Sequence, residues 1–337
     1  MTGDFTLVTG GAGFLGGHVV ERLVREGARV RVLDIAALPA ARADVEWVMG
    51  SVTDKDALAQ AMKGAGRVIH LAAVAHLWAR DATVFERVNF QGTRAVLAAA
   101  KAAGVSSFVH VSSLTTRIAG PAGGQPRVVT EDDLPPLEAM LGAYPRSKWL
   151  AERAARNALA EGLPVRIAIP TMPLGPGDRG LTPPTRMTLD FVCGRTPAYV
   201  DAWMNLCDVR DMADAIVRLL DARPEAHGYL LGGPNIRLGD FLKVLGRVSG
   251  VAMPERRVPA WLAESFATAE TFVADALTGH SPKAPLTGVR LSRRPVLFDS
   301  ARAANATGFK PRPLDETLTD LLAWFEAEGL WRRQAAG

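Results

Sequence analysis

Cys193 and Cys207 are the only two cysteines in 337 residues, too few and too isolated for a disulfide framework or a metal site. Both read as packing residues, and no metal is expected. No apolar run reaches the roughly 18 residues that cross a bilayer. No signal peptide precedes the first strand, so a soluble, cytoplasmic protein is expected. Repeats, low-complexity tracts and a clear linker are also missing. Basic residues exceed acidic ones by four, 39 against 35, and the pI is near 9.3, yet the excess is scattered arginine rather than blocks of one sign. The short pairs Arg256-Arg257, Arg293-Arg294 and Arg332-Arg333 do not make the one-faced cluster that a nucleic-acid surface needs, so no nucleic-acid partner is expected. They read as solvated surface, with attraction to an anionic membrane or substrate as the minor reading.

What is present is an apolar, core-forming chain. Hydrophobic residues make up 48% and the mean hydropathy is +0.09, which excludes disorder. The length allows one large α/β domain or one and a half.

The chain is organised around its N-terminus. Phe5 to Thr9 is a strand, Gly10-Gly11-Ala12-Gly13-Phe14-Leu15-Gly16-Gly17 a glycine turn, and a helical pattern begins at His18. Strand, glycine turn and helix in succession form the front of a dinucleotide-binding βαβ unit, because bare backbone approaches a pyrophosphate closely and the helix N-terminus offers free N–H groups to it. Gly10, Gly13 and Gly16 give a G-x-x-G-x-x-G spacing, one residue wider at its first step than the G-x-G-x-x-G fingerprint. Ala28 to Leu33 reads as a second buried strand ending in Asp34. An acid at that distance from the turn accepts hydrogen bonds from the adenosine ribose and repels a 2′-phosphate, so NAD is favoured over NADP.

Strands and helices then alternate. A loop from Ile35 to Ala43 leads to strand Val45 to Gly50, helix Asp56 to Met62 and strand Arg67 to Leu71, which opens into Ala72-Ala73. Helix Phe85 to Ala103, strand Ser107 to Ser112, helix Ala143 to Leu159 and strand Val165 to Ile169 follow. Such alternation predicts a doubly wound parallel sheet of Rossmann type, with ligands at the carboxyl ends of its strands. Thr171 to Pro184 is rich in proline and glycine and is expected to be a loop above the sheet. Beyond it come helices at Val209 to Leu220, Leu238 to Val248, Ala260 to Leu277 and Asp315 to Ala327, and a strand at Gly228 to Leu231. The expected division is a cofactor domain over residues 1–170, rejoined by segments around 205–232, and a smaller, interleaved substrate lobe over 171–337.

The chemistry is expected where the fifth strand ends, at Ser112-Ser113. Thirty-one residues after Ser113 comes Tyr144-Pro145-Arg146-Ser147-Lys148, and a tyrosine and lysine four apart share one helix face. A nearby ammonium favours phenolate and lowers the tyrosine pKa from its usual value near about 10. Tyr144 then exchanges a proton with a substrate hydroxyl or carbonyl while Ser113 holds the same oxygen. Lys148 is expected to hold the nicotinamide ribose as well.

This constellation resembles the extended short-chain dehydrogenase/reductase superfamily, or NAD-dependent epimerase/dehydratase family. The resemblance rests on Thr9 to Gly16, His70 to Ala73, Val88 to Thr93, Phe108 to Ser113, Tyr144 to Glu152, Ile169 to Gly177 and Gly308 to Pro313. Leu77 to Asp81, Gly194 to Asp201 and Leu231-Gly232-Gly233 look most like the dihydroflavonol-reductase-like branch, including the bacterial hopanoid-associated sugar epimerases. The resemblance implies a catalytic set of Ser113, Tyr144 and Lys148. It implies NAD along Gly10, Gly13, Phe14, Leu15, Gly16, Asp34, Ser51, Val52, Leu71, Ala72, Ala73, Ser112, Tyr144, Lys148 and Pro170. Asn89 matches a structural asparagine of the family and is assigned to loop anchoring. A homodimer through helix Phe85 to Ala103 and the helix of Tyr144 is also implied.

Two positions depart from the family pattern. Ser51 follows Gly50 where an acidic residue usually contacts the adenine, and Ile169 precedes Pro170 where sugar-nucleotide epimerases carry an asparagine that holds the substrate diphosphate. Ile169, Met172, Pro173 and Leu174 make an apolar lining suited to a hydrophobic ring substrate. The leading expectation is therefore an NAD-dependent dehydrogenase or reductase of a secondary alcohol and ketone on a steroid-, isoprenoid-, quinone- or flavonoid-like ring. A nucleotide-sugar epimerase or dehydratase is the alternative, and a non-catalytic NAD(P)-sensing protein the second. His76, Trp78, Met172 and Leu174 are the candidate substrate residues. Trp261, Leu262, Phe266, Phe272 and Val273 read first as core packing and otherwise as a lid or a peripheral membrane contact.

Overall fold

A computed structural model describes residues 5–36, 44–224, 228–280, 282 and 284–332. Positions 37–43 of the loop expected after Asp34, and Arg333 of the last basic pair, lie outside the described residues. The described strands in chain order are β1 (Phe5–Thr9), β2 (Val30–Asp34), β3 (Val45–Met49), β4 (Ala65–His70), β5 (Ser107–Val111), β6 (Arg127–Val129), β7 (Val165–Pro170), β8 (Met172–Leu174), β9 (Trp203–Asp208), β10 (Tyr229–Leu231), β11 (Asn235–Arg237) and β12 (Val296–Phe298). The α-helices are α1 (Phe14–Arg25), α2 (Lys55–Met62), α3 (Thr93–Ala103), α4 (Ala143–Ala160), α5 (Pro183–Val192), α6 (Val209–Arg218), α7 (Leu238–Ser249), α8 (Ala260–Val273), α9 (Leu286–Ser292), α10 (Ala301–Thr307) and α11 (Leu314–Ala327).

Seven strands form one parallel sheet in the order β10-β7-β5-β4-β1-β2-β3. The order reverses between β1 and β4, and such a switch point opens a crevice at the carboxyl ends of the strands. Thr9 pairs with His70, and His70 with His110, so these strand ends are level. Both faces are covered, as a parallel sheet requires. Val8, Val32 and Ile69 pack with Val19, Val20, Met212 and Ile216 of α1 and α6. Leu7, Leu33, Val68 and Phe108 pack with Leu58, Val96, Leu97 and Ala155 of α2, α3 and α4. A separate cluster joins Leu174, Leu206, Phe241, Leu245, Leu321 and Phe325.

The segment expected as a loop over 171–184 is partly regular. Met172–Leu174 pairs with β9 in a three-stranded sheet of order β11-β9-β8, and its Pro173 is tolerated because β8 is an edge. Helix α5 begins at Pro183 with two prolines in its first turn, where no amide donor is needed. Helix α1 starts at Phe14, four residues before His18. The expected helix over 85–103 opens with eight residues of π-helix, Phe85–Gly92, and the one expected over 260–277 is α8 followed by a π-helical turn at Ala274–Thr278. No described helix is long and apolar enough to cross a membrane.

Candidate active site

The glycine turn is built for close approach. Gly10 has a φ of +78°, and a Cβ there would stand 2.7 Å from the Ala72 amide nitrogen. A Cβ on Gly16 would stand 2.0 Å from the Gly10 carbonyl oxygen. Gly13 precedes α1 with no side-chain cap, so the first N–H groups of the helix stay available to an anion. Asp34 accepts from the amides of Ala12 and Ala36, both at 3.0 Å, which fastens the turn to the end of β2. These are bare backbone, free donors and a placed carboxylate, and they fit a dinucleotide.

The other expected cofactor residues border that crevice or support it. Phe14 and Leu15 open α1, and Leu71, Ala72 and Ala73 follow β4, all partly exposed. Val52 is buried and fills the space beside Gly92. The Ser51 hydroxyl bonds with that of Thr53 at 2.8 Å. Pro170 closes the buried strand β7. Ser112 is engaged elsewhere, donating to Glu152 at 2.6 Å.

Ser113 caps a short 3-10 turn, and its Oγ accepts from the Thr115 amide at 3.2 Å and the Thr115 hydroxyl at 3.0 Å. With both lone pairs used, its own proton is the one left to donate. Tyr144 shares a hydrogen bond with Ser113. Burial pushes the phenol above its ordinary value, and the Ser113 bond opposes that. The lowering expected from the ammonium is not found; Lys148 Nζ donates instead to the Val111 carbonyl at 2.6 Å. Burial brings Lys148 down to about 8, against the pull of Glu152 upward.

Glu152 sits one turn beyond Lys148 with no exposed surface. Arg117 grips it through two nitrogens at 2.7 and 3.0 Å, and Arg156 adds a bond at 2.7 Å. Burial alone would raise this carboxyl, but the two guanidinium groups and Ser112 hold it down at about 2. Since Arg117 follows the 3-10 turn, the ion pair clamps the Ser113 segment to α4. The sequence offered Glu152 only as part of a motif and offered no reason to notice Arg117.

A second polar chain lies under Tyr144. Asn89 Nδ2 donates to the Val74 carbonyl at 3.1 Å and to Ser147 Oγ at 3.0 Å, and Asn89 Oδ1 accepts from the Val74 amide at 2.7 Å. Ser147 in turn donates to the Tyr144 carbonyl at 2.8 Å. The loop-anchoring expectation for Asn89 matches these contacts.

A cavity of about 340 Å³ is lined by Leu77, Trp78, Met140, Leu141, Gly142 and Leu286, with Arg290 as the charged lining residue. Its volume lies in the lower part of the range for small-molecule sites, and its lining residue Gly142 precedes Tyr144 by two positions in the chain. Trp78 borders it and donates to Asp275 at 2.7 Å. His76 is exposed and Met172 half-buried. Leu174 has no exposed surface and belongs to the core under α7 and α11, so it is withdrawn from the substrate set. Met140, Leu141 and Leu286 were missed because nothing in a sequence shows which loops close on one another. Trp261 and Phe272 are 65% and 68% exposed, which overturns core packing for that face of α8. Among the described residues no group of side chains could hold a metal.

A glycine cradle at the switch point of a parallel sheet, with a serine, tyrosine and lysine beside it, defines an NAD-dependent enzyme of the extended short-chain dehydrogenase/reductase type. Residues 6–232 match the model of the NAD dependent epimerase/dehydratase family, and the chain belongs to that family. A protein of Synechocystis sp. that carries a dihydroflavonol 4-reductase name is 35% identical over 98% of this chain and 97% of its own. The sterol demethylase protein B of Methylococcus capsulatus is 28% identical over 96% of this chain and 99% of its own. The crystal structure of gox2253 superposes with a TM-score of 0.82 at 30% identity, covering 98% of this chain and 100% of that one. The cofactor is NAD, and Asp34 disfavours the 2′-phosphate of NADP.

Proposed function

We propose that the protein interconverts a secondary alcohol and a ketone on a hydrophobic ring substrate. NAD bound in the cradle supplies the hydride acceptor or, reduced, the donor. Tyr144 gives or takes the proton on the substrate oxygen, and Ser113 donates a hydrogen bond to that oxygen as charge develops on it. Lys148 keeps a positive charge beside the site and holds the cofactor ribose. The observation that carries the ring substrate is the largely apolar cavity bordered by Leu77, Trp78, Met140 and Leu141, whose lining residue Gly142 precedes Tyr144 by two positions in the chain. The sterol and flavonol names of two relatives support it.

In this reading residues 1–170, with segments around 205–232, hold the cofactor, and 171–337 mainly cover the substrate. The protein works in the cytoplasm as a homodimer through the helices at Phe85–Ala103 and Ala143–Ala160. Half-buried Phe90 and Trp149 lie on those helices, each with an arginine near its ring. The exposed Trp261, Phe266 and Phe272 of α8 support peripheral contact with a lipid surface.

NADH-coupled assays on cyclic alcohols and ketones, run against nucleotide sugars, test the reaction. Net NADH formation from a cyclic alcohol is the expected result. The family description favours a second reading, epimerisation or dehydration of a nucleotide sugar, and sugar turnover with no net NADH would replace the first reading with it. Bound NAD with no turnover of either class would point to a sensor.

A further inference from the structure

Behind the catalytic helix runs a hydrogen-bond chain longer than the Asn89 anchor. It begins at the glycine turn, where the Ala72 amide, against which Gly10 packs, donates to Thr9 Oγ1 at 3.3 Å. Thr9 Oγ1 lies 2.7 Å from His70 Nδ1, and His70 Nε2 lies 2.9 Å from Thr93 Oγ1. Thr93 donates to the Asn89 carbonyl at 2.6 Å, and the Asn89 side chain reaches Ser147 and through it the Tyr144 carbonyl. Proton counting fixes the direction of every bond. Because the Thr93 hydroxyl donates to Asn89, it must accept from His70 Nε2, so His70 Nδ1 is bare and accepts from Thr9. His70 stays neutral because burial, and then the charge of Lys148, brings it down to about 3. Thr9, His70, Asn89, Thr93 and Ser147 are all buried, so water does not compete for these bonds. The chain also runs through the π-helix Phe85–Gly92, a widened turn of the kind that accumulates at functional sites.

We propose that these five side chains act as one unit coupling occupancy of the glycine turn to the placement of Tyr144, with His70 as the positioning residue at its centre. The proposal rests on the reading of Tyr144 as the proton-exchanging group. Coupling of this kind is reciprocal, so a break at Ser147, where the chain meets the Tyr144 backbone carbonyl rather than its phenol, alters NAD affinity at the other end. It also makes the links non-additive, because one break disconnects everything beyond it.

The test measures NAD binding by calorimetry on the whole protein without substrate. Thr93→Val cuts the chain at its middle with little change of shape. It is expected to weaken NAD about fivefold, and Ser147→Ala in that background is expected to add less than half its effect in the parent. His70→Gln keeps one donor and one acceptor and is expected to recover most of the affinity that His70→Leu loses. NAD affinity within about twofold of the parent in Thr93→Val, effects that multiply, or no difference between His70→Gln and His70→Leu would each overturn the unit. Should Thr93→Val fail to fold, the His70 pair decides alone. Binding needs no turnover, so an absence of alcohol oxidation would count against the proposed reaction and leave the coupling to be judged by its own measurement.

Discussion

Tyr144 separates two regions of opposite character. Behind it, toward the sheet, His70, Asn89, Ser147, Lys148 and Glu152 are buried and each has at least one named partner. Beyond Gly142, which precedes it by two positions in the chain, the front cavity is walled by loops and by the α8–α9 region, and α8 buries Ala267 while leaving Trp261, Leu262, Phe266, Phe272 and Val273 exposed. The back is held by buried directional bonds that tolerate little displacement, whereas the front joins an apolar lining, which can be repacked, to more exposed polar bonds such as those of Trp78 with Asp275 and Arg290 with Glu264. The difference teaches where fixed chemistry and adjustable specificity lie. Proton exchange needs one geometry, while a ring pocket needs only shape.

The sharpest way to break the comparison is at the phenol. Tyr144→Phe is expected to lower turnover by about 10³-fold and to leave NAD affinity within about twofold; a coupled assay together with calorimetry checks both. Retained turnover would move the chemistry to another group.

Next in size is Glu152, the most heavily partnered acid at the back. Its folded carboxyl lies at about 2, below the ordinary 4.5, so its stabilising share is present above the ordinary value and is lost as pH falls toward the folded one. That share is about 3 kcal/mol. Denaturant titrations at about pH 7 and at about pH 3 are expected to show much of it disappear in the parent. Glu152→Gln is expected to be destabilised by about 3–5 kcal/mol at neutral pH, because the buried Arg117 and the partly buried Arg156 lose their counter-charge. A loss under about 1 kcal/mol would show that the Arg117 clamp is not what holds the Ser113 segment.

A smaller effect is expected at Lys148, which loses its proton above about 8 in the cofactor-free protein. NAD affinity should therefore fall several-fold between about pH 7 and about pH 9.5 as the ammonium is lost. Lys148→Met should flatten that profile. A parent profile already flat over this range would remove Lys148 from the cofactor site.

The smallest catalytic effect belongs to the front. Replacing Trp261, Phe266 and Phe272 together by serine is expected to change stability by about 0.5 kcal/mol or less per site and to leave oxidation of a soluble cyclic alcohol unchanged. Binding to vesicles of mixed neutral and anionic phospholipid, followed by sedimentation, should be lost. A parent that never sediments with vesicles would leave this face without a lipid role.

The same division governs what the amino-acid order made legible. The glycine turn, Asp34 and the parallel sheet could be read because they follow from local patterns, bare backbone and alternating elements. The serine, tyrosine and lysine were legible through spacing along one helix and one strand end. The direction of the Tyr144 shift was not, because it depends on how deeply the phenol is buried, which only the fold sets. Arg117 was invisible for a similar reason: its partner lies 35 residues away and only the fold brings them together. The π-turn at Phe85–Gly92 hid because its apolar spacing reads as an ordinary helix. Leu174 misled in the opposite sense, since an apolar residue after a strand suits a pocket wall and a second core equally well.

One topological detail bears on synthesis. The edge strand β10, Tyr229–Leu231, hydrogen-bonds to β7, which ends at Pro170, and β8, α5, β9 and α6 intervene. A chain leaving the ribosome N-terminus first therefore has its glycine turn and its tyrosine before the border of the sheet is sealed. Until residue 231 emerges, β7 presents an unpaired backbone rim, the kind of surface that recruits neighbouring nascent chains. A translational pause between these points would lengthen that vulnerable interval, and earlier delivery of the last strand would shorten it.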